Sequence, residues 1–359
     1  MHRRQLLTGM AIATATAGFT TQISSAQPNR SDSPSDSPAS LKAPRLQPGD
    51  TVGIISPAGA TYQQENLAIV EDAMRGLGLI PNVAPHALDR YGYLAGSDPD
   101  RASDINAFFA DPAIAALLPI RGDWGSARVL PYLDYDTIRQ NPKIIVGFSD
   151  ITALLLGIYA QTGLITFHGP HGITAWDSAQ VQPFRQMLFD GVAPTIQNPA
   201  FGENGDRLMP VRGRIQTITP GQATGTLIGG NLSVISGIVG SPYMPDMNGA
   251  ILFLEDVGER PYRIDRMLTQ LKLAGILDQL SGFIFGQCTS CNPGNSFGSL
   301  TLEEILRDHI QPLGIPAWSG AWIGHVEPLL TLPIGVEATV DSVAGTIQVL
   351  EPAVVVPQA

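Results

Sequence analysis

Cysteine is nearly absent: Cys288 and Cys291, spaced C-x-x-C, are the only two in 359 residues. Two thiols cannot complete a four-ligand zinc site, and the sequence places no further ligands close by. Asn-Pro-Gly-Asn follows the pair, a loop sequence rather than the helix start that a thioredoxin-like dithiol needs. The pair therefore reads as a loop without redox chemistry, free to close a disulfide in an oxidising compartment. Clustered positive charge is missing as well. Beyond the first few residues there is no Lys/Arg run, and the formal net charge is −11, which argues against nucleic acid and for solubility. No apolar run after the N-terminus is long enough to span a bilayer. There is no G-x-G-x-x-G after the first strand and no G-x-x-x-x-G-K-[ST], so dinucleotide and nucleoside triphosphate chemistry lack support. Nothing calls for a cofactor or a metal.

What is present begins with Met1-His-Arg-Arg-Gln-Leu-Leu7, a twin arginine leading through an Ala/Thr-rich stretch to Ser24-Ser25-Ala26. This pattern predicts a twin-arginine export signal over 1–26 and a periplasmic mature protein without a membrane segment. Residues 27–43, rich in Pro, Ser, Asp and Asn, cannot bury a core and read as a disordered tether. From 44 to 180, strand patterns alternate with helix patterns, which predicts an α/β domain with a parallel sheet. A polar, turn-rich linker follows over 181–220. A mixed β/α domain is expected over 221–359, closing with period-2 strands from Val336 to Val355.

Within the first domain, Lys143-Ile-Ile-Val-Gly-Phe-Ser149-Asp150 stands out. A bounded β-branched run ends at a Ser-Asp pair, and an apolar run of helical length begins at once. Ser149 thus sits on a sharp strand-to-helix turn, with the Asp150 amide at the helix N-terminus, where the dipoles favour developing negative charge. Ile151 replaces the last glycine of G-x-S-x-G, and a plain N-cap is the competing reading. The third strand, Ala113 to Ile120, runs into Arg121-Gly122-Asp123-Trp124-Gly125-Ser126, followed by a helix over Ala127 to Leu133. In doubly wound sheets, sites form beyond the carboxyl ends of the strands, where both segments fall.

An acyl-transfer serine needs a base, and the base needs an orienting carboxylate. His325 lies in Ile-Gly324-His325-Val-Glu-Pro328, within an irregular Gly-rich stretch from Trp318. His168 and His171 flank Gly169-Pro170 and read as structural or substrate-lining. Glu255 and Asp256 end an apolar strand on opposite faces, so only one can reach a shared site. Spacing alone does not choose between them.

Taken in order, S-P-A-G after the first strand, Arg121-Gly-Asp-Trp-Gly125, Gly147-Phe-Ser-Asp150, Thr166-Phe-His-Gly-Pro170, Gly229-Gly-Asn-Leu232, Leu254-Glu-Asp-Val257, Pro261-Tyr-Arg-Ile-Asp-Arg-Met-Leu268 and Gly324-His325 resemble the serine LD-carboxypeptidase family. That family includes muramoyl-tetrapeptide carboxypeptidases and microcin C self-immunity peptidases. The resemblance implies a flavodoxin-like N-terminal domain, a smaller β-rich C-terminal domain, no metal and a homodimer. It implies a Ser149, Glu255, His325 triad, which selects Glu255 over Asp256, and an oxyanion hole from the amides of Gly122 and Asp150. The implied substrate is a murein stem peptide that loses terminal D-alanine. Arg121, Asp123, Trp124, His168 and Arg263 are the candidate substrate-binding residues, the arginines because a free carboxylate suits a bidentate partner. The family carries a second glycine where this chain has Asp123, which puts the shape of the hole in question. Two alternatives remain: the same triad acting on microcin C-like acyl-adenylate analogues, and a non-catalytic wall-peptide binder.

Overall fold

The computed structural model describes residues 40–199, 214–291 and 298–356. The expected export signal, most of the expected tether and the Asn-Pro-Gly-Asn loop lie outside these residues.

The first half runs β1 (Thr51–Ile55), α1 (Gln64–Gly76), β2 (Ile80–Val83), α2 (Asp98–Ala110), β3 (Ile114–Pro119), α3 (Tyr135–Gln140), β4 (Ile144–Gly147), α4 (Thr152–Thr162), β5 (Thr166–His168) and α5 (Ser178–Leu188). It continues with β6 (Thr195–Gln197), β7 (Gln216–Thr219), β8 (Gln222–Asn231), α6 (Leu232–Ile238), β9 (Ile251–Val257), α7 (Pro261–Leu273), β10 (Gly282–Thr289), α8 (Leu302–Ile310), β11 (Ala317–Ser319), β12 (Leu332–Ile334), β13 (Val336–Asp341) and β14 (Thr346–Val349). The first sheet has the order β12-β5-β4-β3-β1-β2, parallel except for β12. Its β2-β1-β3-β4-β5 portion is the flavodoxin-like order. The second sheet, β6-β14-β13-β8-β9-β10-β11-β7, is parallel through β8, β9, β10 and β11 and antiparallel at its flanks.

Burial follows from this layering. Strand β4 is buried throughout, and helix α4 is buried on every side from Thr152 to Ile158, which explains its lack of amphipathic pattern. Helix α4 packs against β4 and β5 of the first sheet and against β8 and α6 of the second half. The end of β8 meets its first turn directly. The Asn231 amide donates to Thr152 Oγ1 at 3.0 Å, and a Cβ on Gly230 would lie 2.5 Å from Thr152 Cγ2. A glycine is needed there both for the close approach and for its φ of +145°.

Several sequence expectations shift. Order begins before residue 44: Leu41 exchanges backbone hydrogen bonds with Gly163 and Ile165, and Ala43 is buried. The 181–220 segment contains β6 and β7, and β12 crosses back to close the first sheet beside β5. Three-residue edge strands are too short to show a period. Ser126–Tyr132 is a 3-10 helix that contains Pro131, which cannot donate to a continuing α-helical ladder. The stretch expected to be irregular from Trp318 opens inside β11, and Cys288 lies in β10 rather than in a loop.

His168, on β5, is fully buried, and neither ring nitrogen has a partner among the described residues. Burial pushes its pKa down to about 4 and that of His171 down to about 3. Each is neutral in the fold but titrates near 6.5 once unfolded, so the unfolded chain binds more protons between those values. The stability they contribute is therefore lost as pH falls through that window. Asp256, raised by burial to about 6, acts with the opposite sign over its own range. Replacing His168 by Phe removes the titration without breaking a hydrogen bond. The unfolding free energy of the wild type, from urea titrations, is expected to fall more steeply between pH 6.5 and 4.5 than that of His168→Phe, by on the order of 2 kcal/mol. Parallel pH profiles for the two proteins would refute this.

Candidate active site

The turn after β4 is shaped by what surrounds Ser149. Phe148 is extended, Ser149 has φ +61°, and Ser149–Ile151 form one 3-10 turn that runs into α4. A positive φ on a non-glycine residue is strained, and it lifts the side chain out of both elements. A Cβ on Gly147 would lie 2.8 Å from Ile151 Cγ2, so Gly147 makes room for the residue that stands in place of the missing glycine. Ser149 is partly exposed, whereas Asp150 is buried.

Across from the turn lies the loop after β3. A Cβ built on Gly122 would be 3.3 Å from both Ser149 Oγ and the Asp150 nitrogen. The Gly122 backbone therefore borders the hydroxyl and the amide at the helix start, where an oxyanion would sit. The Gly59 amide donates to the Gly122 carbonyl at 3.1 Å, tying in the S-P-A-G turn after β1. Asp150 Oδ2 accepts from the Ser126 amide at 2.7 Å, and the Ser126 hydroxyl donates back to the Asp150 carbonyl. Burial raises the Asp150 pKa, and the Ser126 hydrogen bonds oppose that shift.

The base side comes from the second sheet. Glu255, at the end of β9, has no exposure; its Oε2 lies 2.7 Å from His325 Nδ1, and its Oε1 accepts from Asn231 Nδ2 at 3.1 Å. Gly324 has φ +91°, and a Cβ there would fall 2.1 Å from Glu255 Oε2, so the residue before His325 must be glycine. The His325 carbonyl accepts from Thr289 Oγ1 at 2.7 Å. Its ring meets Phe148 edge-on at 5.0 Å, which brings it beside the serine turn with Nε2 unengaged by Glu255. Ser149 and His325 are not hydrogen-bonded to each other here; contacts of this kind commonly tighten with substrate. Asp256 faces the other way and takes the Ser233 amide at 3.0 Å and the Ser233 hydroxyl at 2.8 Å, at the start of α6.

Phe148, His171, Ile173, Thr174, His325 and Leu329 line a cleft of ≈450 Å³ beside the imidazole. His171, stacked on Phe148 at 4.5 Å, reaches this cleft, whereas His168 is fully buried behind it and cannot touch a substrate. That corrects the assignment of His168: β5 directs it inward, and after the Gly-Pro step it is His171, itself mostly buried, that lines the cleft instead. Arg263 also departs from expectation. Its Nη2 donates to Glu259 at 3.1 Å and its Nε pairs with the same carboxylate, one helical turn away. Arg121 does border the site, but it faces Asp123 at 3.4 Å, with Asp123 at φ +91°. Trp124 is half-exposed on the same loop. Cys288 pairs with Asp256 in the ladder and forms a disulfide with Cys291.

Sequence reasoning did not single out Asn231. It caps α6 through the Val234 amide while its Nδ2 bridges Glu255 and Asp256 at 3.1 and 3.3 Å. The signal was an Asn after two glycines at a strand-to-helix junction, the position of an N-cap.

Comparison with known proteins adds to this geometry. Residues 52–169 match the LD-carboxypeptidase N-terminal domain, and residues 224–340 match the LD-carboxypeptidase C-terminal domain. The "Probable murein peptide carboxypeptidase" of Bacillus subtilis is 36% identical over 85% of this chain and 93% of its own length. The murein tetrapeptide carboxypeptidase of Pseudomonas aeruginosa is 30% identical over 81% of this chain and 92% of its own. The microcin C7 self-immunity protein MccF of Escherichia coli is 32% identical over 84% of this chain and 93% of its own. A solved structure of microcin C7 self-immunity protein MccF in its wild-type apo state, 29% identical, superposes with a TM-score of 0.78 over 88% of this chain and all of that one. The chain belongs to the LD-carboxypeptidase family and is one of its carboxypeptidase hydrolases.

Proposed function

We propose that the protein is a serine carboxypeptidase that hydrolyses the L,D-amide bond of murein tetrapeptides and releases terminal D-alanine. The observation that carries this reading is the 2.7 Å contact between a fully buried Glu255 and His325, beside a strained serine turn bordered by Gly122. The names of the relatives from Bacillus subtilis and Pseudomonas aeruginosa support the substrate class. In the mechanism, Glu255 accepts from His325 Nδ1–H and keeps Nε2 unprotonated. Nε2 takes the Ser149 proton as Oγ attacks the amide carbonyl. The carbonyl oxygen gathers negative charge between the Gly122 and Asp150 amides. His325 then delivers its proton to the leaving amine of D-alanine, and a water molecule repeats the sequence on the acyl-enzyme. Arg121 is the side chain that holds the terminal carboxylate, in competition with Asp123. Export by the twin-arginine route would bring the enzyme to its polymer, and a homodimer is the proposed assembly.

A second reading keeps the same residues and changes the leaving group. The likeness to MccF favours it, since one solved MccF structure holds aspartyl sulfamoyl adenosine. Profiling hydrolysis of murein tetrapeptide against acyl-sulfamoyl adenylates separates the two. Export weighs for murein, because the wall lies outside the membrane.

Two outcomes follow. Ser149→Ala and His325→Ala should each lower D-alanine release by about 10⁴-fold or more, and Ser149→Ala should abolish fluorophosphonate labelling. Wild-type turnover in folded Ser149→Ala, read by mass spectrometry of digested murein, would end the proposal; a wild type that retains peptide but resists labelling would mark a binder. Asp123→Gly should lower KM for the tetrapeptide by up to about fivefold at low salt, with kcat within about twofold, because an exposed ion pair of this kind is worth at most about 1 kcal/mol. An unchanged or higher KM would show that Asp123 does not compete for Arg121.

A further inference from the structure

Arginine 101 is among the most deeply buried side chains of the protein, with 1% residue exposure, although it lies on α2 and touches none of the reacting groups. Burying a guanidinium is costly unless its donors find partners, and nothing in the apolar core requires one. Its partners are specific. Nη1 donates to the Gly125 carbonyl at 3.0 Å and to the Pro57 carbonyl, and Nη2 pairs with Asp98. Asp98 is itself held by Arg128 at 2.8 and 3.0 Å. Pro57 belongs to the turn after β1 and Gly125 to the loop after β3, so one planar cation spans two loops that meet at the proposed oxyanion hole.

The contact with Gly125 has a counterpart. The Gly125 carbonyl and the Ser126 amide are the two ends of one peptide unit. Arg101 holds the oxygen, and Asp150 Oδ2 accepts the N–H at 2.7 Å. A buried cation and a buried anion thus grip the same rigid plane from opposite ends. A peptide held in this way cannot rotate without breaking charge-assisted hydrogen bonds at both ends. The crossing is close: a Cβ on Gly125, whose φ is +118°, would come 2.4 Å from Leu94 Cδ2 and 3.2 Å from Arg101 Nη1. Further along the same loop, the Gly122 carbonyl is held by the Gly59 amide, in the turn whose Pro57 carbonyl Arg101 also holds.

We infer that Arg101 is a positioning residue for the oxyanion hole, acting with the Asp150 carboxylate as a two-ended clamp on the Gly125–Ser126 peptide that sets the Gly122 backbone against Ser149. The inference rests on the proposed role of Ser149, Gly122 and Asp150. Misplaced oxyanion donors lower transition-state stabilisation while leaving ground-state binding largely alone. Lysine keeps the charge but cannot reach two carbonyls and a carboxylate in one plane.

The test uses the full-length protein and two readouts: the rate constant for fluorophosphonate labelling of Ser149, which does not depend on the identity of the peptide substrate, and kcat per titrated serine. Arg101→Gln should label about 10- to 100-fold more slowly and lose kcat by a similar factor, with KM within about threefold. Arg101→Lys should fall between it and the wild type. Millimolar guanidinium should partly restore Arg101→Ala but not Ser149→Ala. Asp98→Asn, which loosens the guanidinium without removing it, gives a milder form of the same defect and serves if the arginine variants fail to fold. Wild-type labelling rates in folded Arg101→Gln and Asp98→Asn would overturn the inference and leave the proposed function standing. So would losses that vanish once rates are expressed per titrated site. Failure of the wild type to label would instead remove the proposed function.

Discussion

A carboxylate without access to water organises the second-sheet side of the proposed site. At the end of β9, His325 and Asn231 each engage one oxygen of the buried Glu255 carboxylate. Losing either partner would leave a buried oxygen without its hydrogen bond, a larger cost than the net worth of the bond. The surroundings are built to that constraint. Gly324 yields its side-chain volume to the carboxylate, Thr289 holds the His325 carbonyl, and Phe148 packs against the imidazole. The adjacent Asp256 shows how strongly alternation along a strand separates roles. It is equally buried but points to the start of α6, where it is raised to about 6 by desolvation against the hydrogen bonds from Val257 and Ser233.

The serine side of the site answers to a different constraint, close approach. Strand β4 delivers Ser149 into a conformation that L-residues avoid, and glycines at 147 and 122 let Ile151 and the β3 loop close around it. The two sides meet where the Asn231 amide binds Thr152, so the residue that braces Glu255 also braces the first turn of α4. A site assembled from two sheets is thereby held by one short polar bridge in addition to the packing of α4.

The parallel sheet was legible because βαβ units alternate two hydrophobic periods, and the serine turn because a β-branched run gave way abruptly to a helical one. Very short strands were not legible: β6, β11 and β12 have three residues each, and β12 joins a sheet whose other members lie far away in the chain. His168 and His171 show a subtler limit. Both are histidines in one short motif, and only the direction of β5 decides that one is sealed in and the other faces the cleft. Arg263, expected as a carboxylate receptor, is engaged instead by Glu259, four residues earlier, a pairing that spacing allows but does not compel.

By itself the sequence determined the alternating architecture, the strand-to-helix serine and the ordered series of motifs that identifies the family, since each is a local pattern of residue type and period. Tertiary structure alone decided which histidine reaches the cleft and that a buried arginine on α2 grips the loop beside Ser149; it also set Glu255 rather than Asp256 against His325, a choice that the family resemblance implied and spacing could not make. Those are questions of direction and distance between segments remote in the chain, and they are answered only when two sheets pack and each side chain must find a partner or be excluded.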